Sequence, residues 1–343
     1  MLKPRPPSAL QLRQQERLRS LGGFLNELQT QYHKRNLLDS DPLEFVYHYS
    51  NPWDQEFVAL VAALLAYGNV KQVRKSVSDV LARVARVAES PSAMIRRLEG
   101  LAGRRSPYAK QVSREFESFV HRFNRGPDLV VLFQLISETW IRSGSVGAHF
   151  LGGLEPEQDI TDALSLLIAD WRKWSKGMGN DSFQYLLTSP ADGSSCKRWC
   201  MLLRWMGRKD ELDPGLWNAG SGLEATFPPG KFLNPRQLVL PLDTHTGRIS
   251  QYLGLTKRKT LDWKAALEIT QNLSVCDPED PTRYDFSLSR LGILDVCQRK
   301  YRAEICTNCQ LLSFCKFAQK NVAKNVAKKG RMKVTKPTKV RAK

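Results

Sequence analysis

Apolar residues recur every three or four positions along most of this 343-residue chain, and this spacing constrains the fold more than any other feature. Phe57, Leu60 and Leu64 show it in one stretch. The same spacing predicts helices at 70–84, 111–123, 128–142, 160–174, 181–188, 194–207, 246–253 and 262–273. Only 238–240, which precedes a proline, looks extended. The sequence therefore predicts an all-α fold.

The composition is globular and strongly basic. Lys and Arg total 52 against 34 Asp and Glu, for a formal net charge of +18, which favours a polyanionic partner. No stretch approaches the roughly 20 apolar residues that a membrane-spanning helix needs, and the first 20 residues lack the apolar core of a signal peptide. These features predict a cytoplasmic protein without a membrane partner, whose cysteines are thiols, metal ligands or catalytic groups rather than disulfides.

Two segments depart from the helical pattern. Residues 208–237 are rich in glycine and proline, and a loop of that length is typically a functional lid or a mobile insertion. The C-terminal 317–343 is basic and is expected to be a disordered tail. If its first part is helical, one stripe is formed by Lys316, Lys320, Lys324 and Lys328.

Four cysteines fall within 19 residues near the C-terminus, with gaps of eight, two and five residues. They are Cys297, Cys306, Cys309 and Cys315. This density favours a metal site over buried thiols, but zinc and a [4Fe–4S] cluster both accept four thiolates, and spacing does not separate them. The other three cysteines, Cys196, Cys200 and Cys276, are expected to be ordinary buried residues.

The stretch RLGILDVCQRKYRAEICTNCQLLSFC, at 290–315, resembles the iron–sulfur loop of the endonuclease III family, within the helix-hairpin-helix DNA glycosylase superfamily. That family's first gap is six residues rather than eight. The resemblance implies a structural [4Fe–4S] cluster rather than zinc, held by the four cysteines. It also implies that Lys300, Arg302 and Lys316 contact DNA phosphates.

A second stretch, VLPLDTHTGRISQYLGL at 239–255, is similar to the superfamily's V-D-T-H segment, in which the aspartate starts a helix and is catalytic. Asp243 takes that position. From the residues alone, Asp243 is either a plain helix cap or a fixed anion that stabilises positive charge on a sugar. His245 is expected to be structural, and Arg248 to pair with Asp243 or contact a phosphate.

A third stretch, YLLTSPADGSSCKRWCMLLRWMGR at 185–208, has the outline of the superfamily's hairpin, with Lys197 four residues after Gly193 as in its lyase members. The resemblance implies that Lys197 is a nucleophile; a phosphate-binding lysine is the alternative. The positive end of a helix dipole disfavours an ammonium there. Ser194 or Ser195 is expected to cap the helix, although Gly-Ser-Ser replaces the usual Gly-x-Gly. The DNA contacts predicted here are Gly193, Ser194, Ser195, Arg198, Arg204 and Arg208.

Weaker similarity extends to FVALVAALLAYGN at 57–69, which resembles the second core helix of endonuclease III. It suggests Tyr67 or Asn69 as a base-pocket or wedge residue, with a plain core helix as the alternative. The nearest resemblance is to an uncharacterised bacterial family of the superfamily, which shares the C-K-R…L-R-W-M and P-L-D-T-H pieces and implies no substrate.

The resemblance implies a two-lobed fold and a division of the chain. N-terminal helices (1–48) pack with a C-terminal lobe (240–316), and a central lobe (49–239) carries the hairpin. The implied function is a DNA N-glycosylase that flips damaged or modified bases out of double-stranded DNA, with possible abasic-site lyase activity, in the nucleoid. The alternatives are a non-catalytic DNA- or RNA-binding protein of the same fold and a zinc-stapled nucleic-acid adaptor.

Overall fold

The computed structural model describes residues 8–332, without the side chains of residues 39–40 and 325–332. This part of the chain is mostly helical, which confirms the all-α prediction. Its α-helices are α1 Ala9–Tyr32, α2 Pro52–Leu64, α3 Val70–Val87, α4 Pro91–Arg97, α5 Pro107–Phe116, α6 Gly126–Ser143, α7 Val146–Gly152, α8 Thr161–Trp174, α9 Asp181–Gln184, α10 Lys197–Gly207, α11 Thr244–Leu253, α12 Trp263–Leu273, α13 Asp285–Ile293, α14 Ala303–Cys306 and α15 Lys316–Met332. Short 3₁₀ helices cover Arg35–Ser40, Pro42–His48, Ala102–Arg105, Pro190–Asp192, Glu224–Thr226 and Pro235–Gln237.

Helix α2 is the centre of the molecule. Asn51 begins it by accepting a hydrogen bond from the backbone N–H of Trp53 at 2.9 Å, and proline takes the first helical position. Residues 57–65 are fully buried, so this helix is apolar on every side. Helix α10 packs directly against it and is buried from Arg198 onward, whereas its first residue, Lys197, is half-buried.

The 208–237 segment is neither a lid nor a mobile insertion, so that expectation is wrong. Trp217 is fully buried, and its indole N–H donates to the Glu56 carboxylate at 2.9 Å inside the core. Leu212 and Leu233 are also fully buried. Glycine and proline bend this segment, while its large apolar side chains pack it against α2 and α7.

The one β-hairpin among residues 8–332 replaces the end of a predicted helix. Helix α5 ends at Phe116, and strands β1 Val120–His121 and β2 Asn124–Arg125 pair antiparallel around a two-residue turn. Residues 238–240 run extended and buried but pair with no strand in the described chain. Two-residue strands are too short to show an alternating pattern, so apolar periodicity does not predict them.

Helix α1 contacts the C-terminal part of the chain. The Arg17 guanidinium donates to the carbonyls of Leu253 at 2.6 Å and Phe314 at 3.2 Å, and the Tyr284 hydroxyl donates to the Asn26 side chain at 3.0 Å. These bonds span more than 230 residues of sequence. The division into 1–48, 49–239 and 240–316 stays a prediction, although these contacts agree with packing of the first segment on the third.

The basic C-terminal segment is helical where the structure describes it. Helix α15 runs to Met332, so the expectation of disorder from residue 317 is wrong as far as that residue. Phe317 stacks on Tyr252 with ring centroids 4.4 Å apart, which fixes the start of the helix on α11. Residues 333–343 and the side chain of Lys328 lie outside the described residues. None of the described helices is long and apolar enough to cross a membrane.

Candidate active site and cysteine pocket

Lys197 is the first residue of α10 and follows a tight turn. Gly193 has the left-handed backbone (φ +74°) that ends the Pro190–Asp192 turn, and Cys196 takes the helix-capping position with φ +47°. Ser194 Oγ accepts from the Cys196 N–H at 3.2 Å, so the prediction that Ser194 or Ser195 caps α10 is wrong. The half-buried Lys197 side chain donates from Nζ to the Ala66 carbonyl at 3.4 Å.

Asp243 caps α11, as predicted. Its Oδ1 accepts hydrogen bonds from the backbone N–H groups of His245 and Thr246, each at 2.8 Å. No donor among residues 8–332 reaches the second oxygen, Oδ2. The Arg248 guanidinium donates to the Cys297 carbonyl at 2.9 Å. Within residues 8–332 it forms no ion pair with Asp243. The carboxylate is therefore fixed by the helix end with one oxygen left for another group.

Asp285, at the start of α13, interacts electrostatically with both predicted catalytic residues, Lys197 and Asp243. The pKa of its carboxyl group is raised to about 6, mainly by burial; the charge of Asp243 also raises it, whereas those of Arg204 and Lys197 lower it. Lys197 and Asp243 thus lie within electrostatic reach of one buried carboxyl group. A hydrogen bond of 3.4 Å from Ser195 Oγ to the Leu242 carbonyl also joins the two segments.

Sequence reasoning missed Asp285. A weak signal was present, because the residue stands between Tyr284 and Phe286 in an apolar stretch where an unpaired charge would be costly. Its partner, Arg204, lies 81 residues away and was itself assigned to DNA. Pairing over that distance could not be inferred from one sequence.

The prediction that Arg198, Arg204 and Arg208 bind DNA is wrong. Their exposed fractions are 6%, 3% and 4%, too small for contact with a phosphate. Arg204 forms ion pairs with Asp285 at 2.6 Å and Asp213 at 3.2 Å. The physical reason is that Arg204 and Arg208 face buried carboxylates, whereas Arg198 donates to the backbone carbonyls of Leu64 and Tyr185.

Arg208 extends this network to three aspartates. Its guanidinium contacts Asp210 at 2.6 Å, Asp213 at 2.7 Å and Asp280 at 2.7 Å. With Asp285, four carboxyl groups surround the two guanidinium groups of Arg204 and Arg208, which leaves an excess of acid.

The two candidate base-contact residues differ in their surroundings. Asn69 is exposed and caps α3, where its side chain accepts from the Lys71 N–H at 2.9 Å. Tyr67 is half-buried, beyond the end of α2 at Leu64, and its hydroxyl donates to Asn124 Oδ1 and to the His121 carbonyl. The side-chain oxygen of Asn69 is engaged in the helix-capping hydrogen bond. The Tyr67 ring instead contacts the rings of Phe123 and Tyr185.

All four predicted metal ligands line one pocket, whose other walls are mainly apolar. Ile249, Leu253 and Leu291 contribute to those walls. Burial raises the pKa of the Cys297 thiol to about 11. No three His, Cys, Asp or Glu side chains in the described chain meet at metal-ligand distance. Four thiols on one apolar pocket are nonetheless the donor set that a four-thiolate zinc ion or [4Fe–4S] cluster needs.

The predicted phosphate contacts of the C-terminal loop are accessible. Lys300, Arg302 and Lys316 are exposed, in contrast to the arginines of α10. Lys300 and Arg248 also line a polar pocket of about 290 Å³ together with Arg299 and His245. This pocket reaches the first turn of α11, where Asp243 is the cap, so cationic side chains border the start of that helix.

Comparison with known proteins identifies a family but no activity. Searches of curated proteins and of solved structures found no match. A family profile described as "Protein of unknown function (DUF2400)" matches residues 41–294, which include Lys197, Asp243 and Asp285 and end before the first cysteine of the pocket. Because the match covers about three quarters of the chain, this protein belongs to the DUF2400 family.

Proposed function

We propose that this protein is a DNA N-glycosylase with the two-lobed helix-hairpin-helix glycosylase fold, which removes a damaged or modified base and cleaves the resulting abasic site as a lyase. The observation that carries the proposal is the link between the Lys197 and Asp243 segments: Ser195 Oγ donates to the Leu242 carbonyl at 3.4 Å, and the charges of Lys197 and Asp243 both act on the buried Asp285 carboxyl group. An amine and a carboxylate at the starts of two helices are the groups that this chemistry needs.

Asp243 stabilises the transition state. Cleavage of the bond between base and sugar builds positive charge on the sugar, and a preorganised anion lowers the energy of that charge. Two backbone N–H groups hold Oδ1, so the carboxylate needs no reorganisation when the charge develops. The extruded nucleotide must therefore bring its sugar to Oδ2.

Lys197 is the nucleophile. Its uncharged amine attacks C1′ of the sugar, and the base leaves with the electron pair of the broken bond. Ring opening then gives a Schiff base between Nζ and C1′. Loss of a proton from C2′ expels the 3′ phosphate and cuts the strand. In an enzyme without lyase activity, the same amine would position a water molecule instead.

Asp285 is a positioning residue. It holds Arg204 by an ion pair of 2.6 Å and is itself buried, so it does not reach a substrate. Its ionisation adds negative charge close to both Lys197 and Asp243. The protonation state of Asp285 thus sets the electrostatic potential in which the amine and the carboxylate act.

The cysteine pocket is the proposed site of a structural group. Cys297, Cys306, Cys309 and Cys315 would hold a [4Fe–4S] cluster through four thiolates, with zinc as the alternative. When bound, this group supplies cross-links that fold the loop, and it takes no part in the reaction proposed above. Absorbance of purified protein separates the two, since an iron–sulfur protein is brown and a zinc protein colourless.

The proposed DNA surface combines the cysteine loop with the turn at 193–195 that precedes α10. The exposed Lys300, Arg302 and Lys316 bind phosphates of double-stranded DNA, and Arg248 and Arg299 add charge at the neighbouring pocket. In the turn before α10, Gly193 is exposed and the following two serines are half-buried, which leaves this turn available to a further phosphate.

A second candidate is a DNA- or RNA-binding protein of the same fold without catalysis. The Gly-Ser-Ser turn at 193–195 favours it, because a turn with fewer glycines offers fewer bare backbone amides to a phosphate. This candidate predicts salt-dependent binding and no covalent adduct.

The experiment is borohydride trapping on a duplex with one abasic site. Borohydride reduces the Schiff base to a stable amine, so the wild-type protein should become covalently attached to DNA. Lys197→Gln should lose trapping by at least about 100-fold, whereas the exposed Lys176→Gln should match the wild type. Undiminished trapping by Lys197→Gln would remove Lys197 from the mechanism; no trapping by wild type favours the second candidate. Duplexes with oxidised, alkylated or deaminated bases then identify the substrate.

A further inference from the structure

An exposed aromatic patch, formed by Tyr67, Phe123 and Tyr185, lies next to Lys197. The three rings contact one another, with centroid separations of 5.1 Å for Tyr67–Phe123, 5.0 Å for Tyr67–Tyr185 and 4.5 Å for Phe123–Tyr185. Phe123 is 43% exposed and Tyr185 is 40% exposed. Large rings that stay this open contribute little to the core, so folding alone does not account for them.

The patch is held rigidly. Phe123 occupies the two-residue turn of the β-hairpin after Arg122, whose left-handed backbone (φ +56°) fits such a turn. The Tyr67 hydroxyl donates to Asn124, and the Asn124 amide donates to Asp128 at 2.9 Å and to the Ser182 carbonyl at 2.7 Å. A ligand would therefore find the rings already ordered, which lowers the entropy cost of binding.

The buried guanidinium group of Arg198 packs against two rings of the patch. Its guanidinium carbon lies 4.3 Å from the centroid of Tyr185 and 5.1 Å from that of Tyr67, and Nη1 donates to the Leu64 carbonyl at 2.6 Å. This buried cation therefore contacts two of the three rings, while Phe123 and Tyr185 stay exposed.

The surroundings of the patch are cationic. Lys197 Nζ bonds the carbonyl of Ala66, the residue before Tyr67, and both residues of the hairpin that carry guanidinium groups, Arg122 and Arg125, are exposed. One carboxylate on this side, Asp128, is buried and accepts hydrogen bonds from the Asn124 amide, the Ser182 hydroxyl and the Arg125 backbone N–H, so its oxygens face donors within the fold. Open rings with a cationic rim are typical of surfaces that bind unpaired bases.

We propose that the aromatic patch binds one unpaired nucleobase, which stacks on Phe123 and meets Tyr185 edge to face, since these two rings are nearly perpendicular. This inference rests on the proposed function and names its substrate class. The site takes DNA with an unpaired base beside the reacting sugar, in a single strand or a locally open duplex, in preference to fully paired DNA. Stacking recognises the face that all bases share, so the patch selects for an unpaired base without selecting its identity.

The test compares two DNA ligands by fluorescence anisotropy on the full chain. One is a labelled single-stranded oligonucleotide, and the other is the same strand annealed to its full complement. Phe123→Ala should weaken binding of the single strand by about 10- to 100-fold and change duplex binding by less than about twofold. Phe123→Trp should retain single-strand affinity because it keeps a stacking ring, whereas Phe123→Leu should lose it.

The matched control is Val120→Ala, since Val120 is 52% exposed on the same hairpin and carries no ring. It should bind both ligands like the wild type. Circular dichroism melting confirms that each variant is folded. The proposal is overturned if Phe123→Ala binds the single strand normally, if it weakens both ligands equally, or if Phe123→Leu binds as well as Phe123→Trp. The first result would indicate that the patch binds a protein instead.

Borohydride trapping of the same variants separates this inference from the proposed function. A wild-type protein that selects the single strand through Phe123 but traps no abasic DNA would support the patch and contradict the lyase. A wild-type protein that traps abasic DNA, with normal single-strand binding by Phe123→Ala, would contradict the patch and leave the lyase standing.

Discussion

Two basic regions of this chain look alike in sequence and differ in structure. Arg204 of α10 and Arg208, which follows this helix, are buried and paired with aspartates, whereas Lys300 and Arg302 of the cysteine loop are exposed. The aspartates account for this difference, and one of them is 81 residues from its arginine. Of these cations, those that pair with a carboxylate inside the fold are buried, and only the exposed ones stay available to an anionic partner.

The largest expected effect is on folding. Arg204→Met leaves Asp213 and Asp285 buried without their shared partner, which should lower the free energy of unfolding by about 3–5 kcal/mol. Lys300→Met, in the exposed region, should change it by less than about 0.5 kcal/mol. Urea unfolding followed by circular dichroism measures both. Similar losses in the two variants would contradict the claim that the buried arginine stabilises the fold more than the exposed lysine.

The next effect is a pH dependence in the buried region. Because burial raises the folded-state pKa of Asp285 from 3.8 to about 6, the folded protein retains a proton that the unfolded chain releases in this window. The free energy of unfolding should therefore fall as the pH rises from 3.8 to about 6, by up to about 3 kcal/mol for this group.

The Asp285→Asn variant cannot titrate and should lack that part of the slope. Urea unfolding at several pH values between about 4 and 7 gives the two stability profiles. If the variant and the wild type have parallel profiles, Asp285 does not titrate in this window and its proposed electrostatic role fails.

In the exposed region, the expected effect is on salt dependence. Replacing Arg299 and Lys300 together with glutamine should lower the slope of log affinity against log salt for duplex DNA by about 1 for each lost phosphate contact. Arg86→Gln, which removes an exposed cation on α3, is the control and should leave the slope unchanged. An unchanged slope in the double variant would show that the pocket of Arg299 and Lys300 is not part of the DNA surface.

The smallest expected effect is the loss of stability when an exposed ion pair is removed. Arg142 and Glu138 form an ion pair of 2.6 Å one turn apart on α6, and the Arg142 side chain is 53% exposed. Arg142→Gln should cost less than about 1 kcal/mol by urea unfolding, because solvent screens the pair. A loss as large as that of Arg204→Met would mean that burial does not set the strength of these pairs.

The sequence predicted what depends on neighbouring residues. Helical periodicity and the Asp243 cap are local properties. Cys196 and Cys200 are buried as predicted, whereas Cys276 is only half-buried, so that part of the prediction is wrong. The role of Arg204 was misread because its partners become neighbours only in the folded chain.

Residues 208–237 were misread for a similar reason. Glycines and prolines suggested a loop, but Trp217 anchors the segment through Glu56, which lies 161 residues away. The hairpin that carries Phe123 was missed because its strands have two residues each. The placement of a site next to these elements depends on long-range packing that a single sequence does not display.

The central claim is that the amine of Lys197 and the carboxylate of Asp243 act on one sugar. Peptide mapping of the borohydride-trapped adduct by mass spectrometry tests it most directly, with Asp243→Asn in parallel. We expect the reduced sugar on Lys197 and a loss of base release of about 100-fold or more in Asp243→Asn. A sugar attached to any other amine, such as Lys316, or full base release by Asp243→Asn, would contradict it.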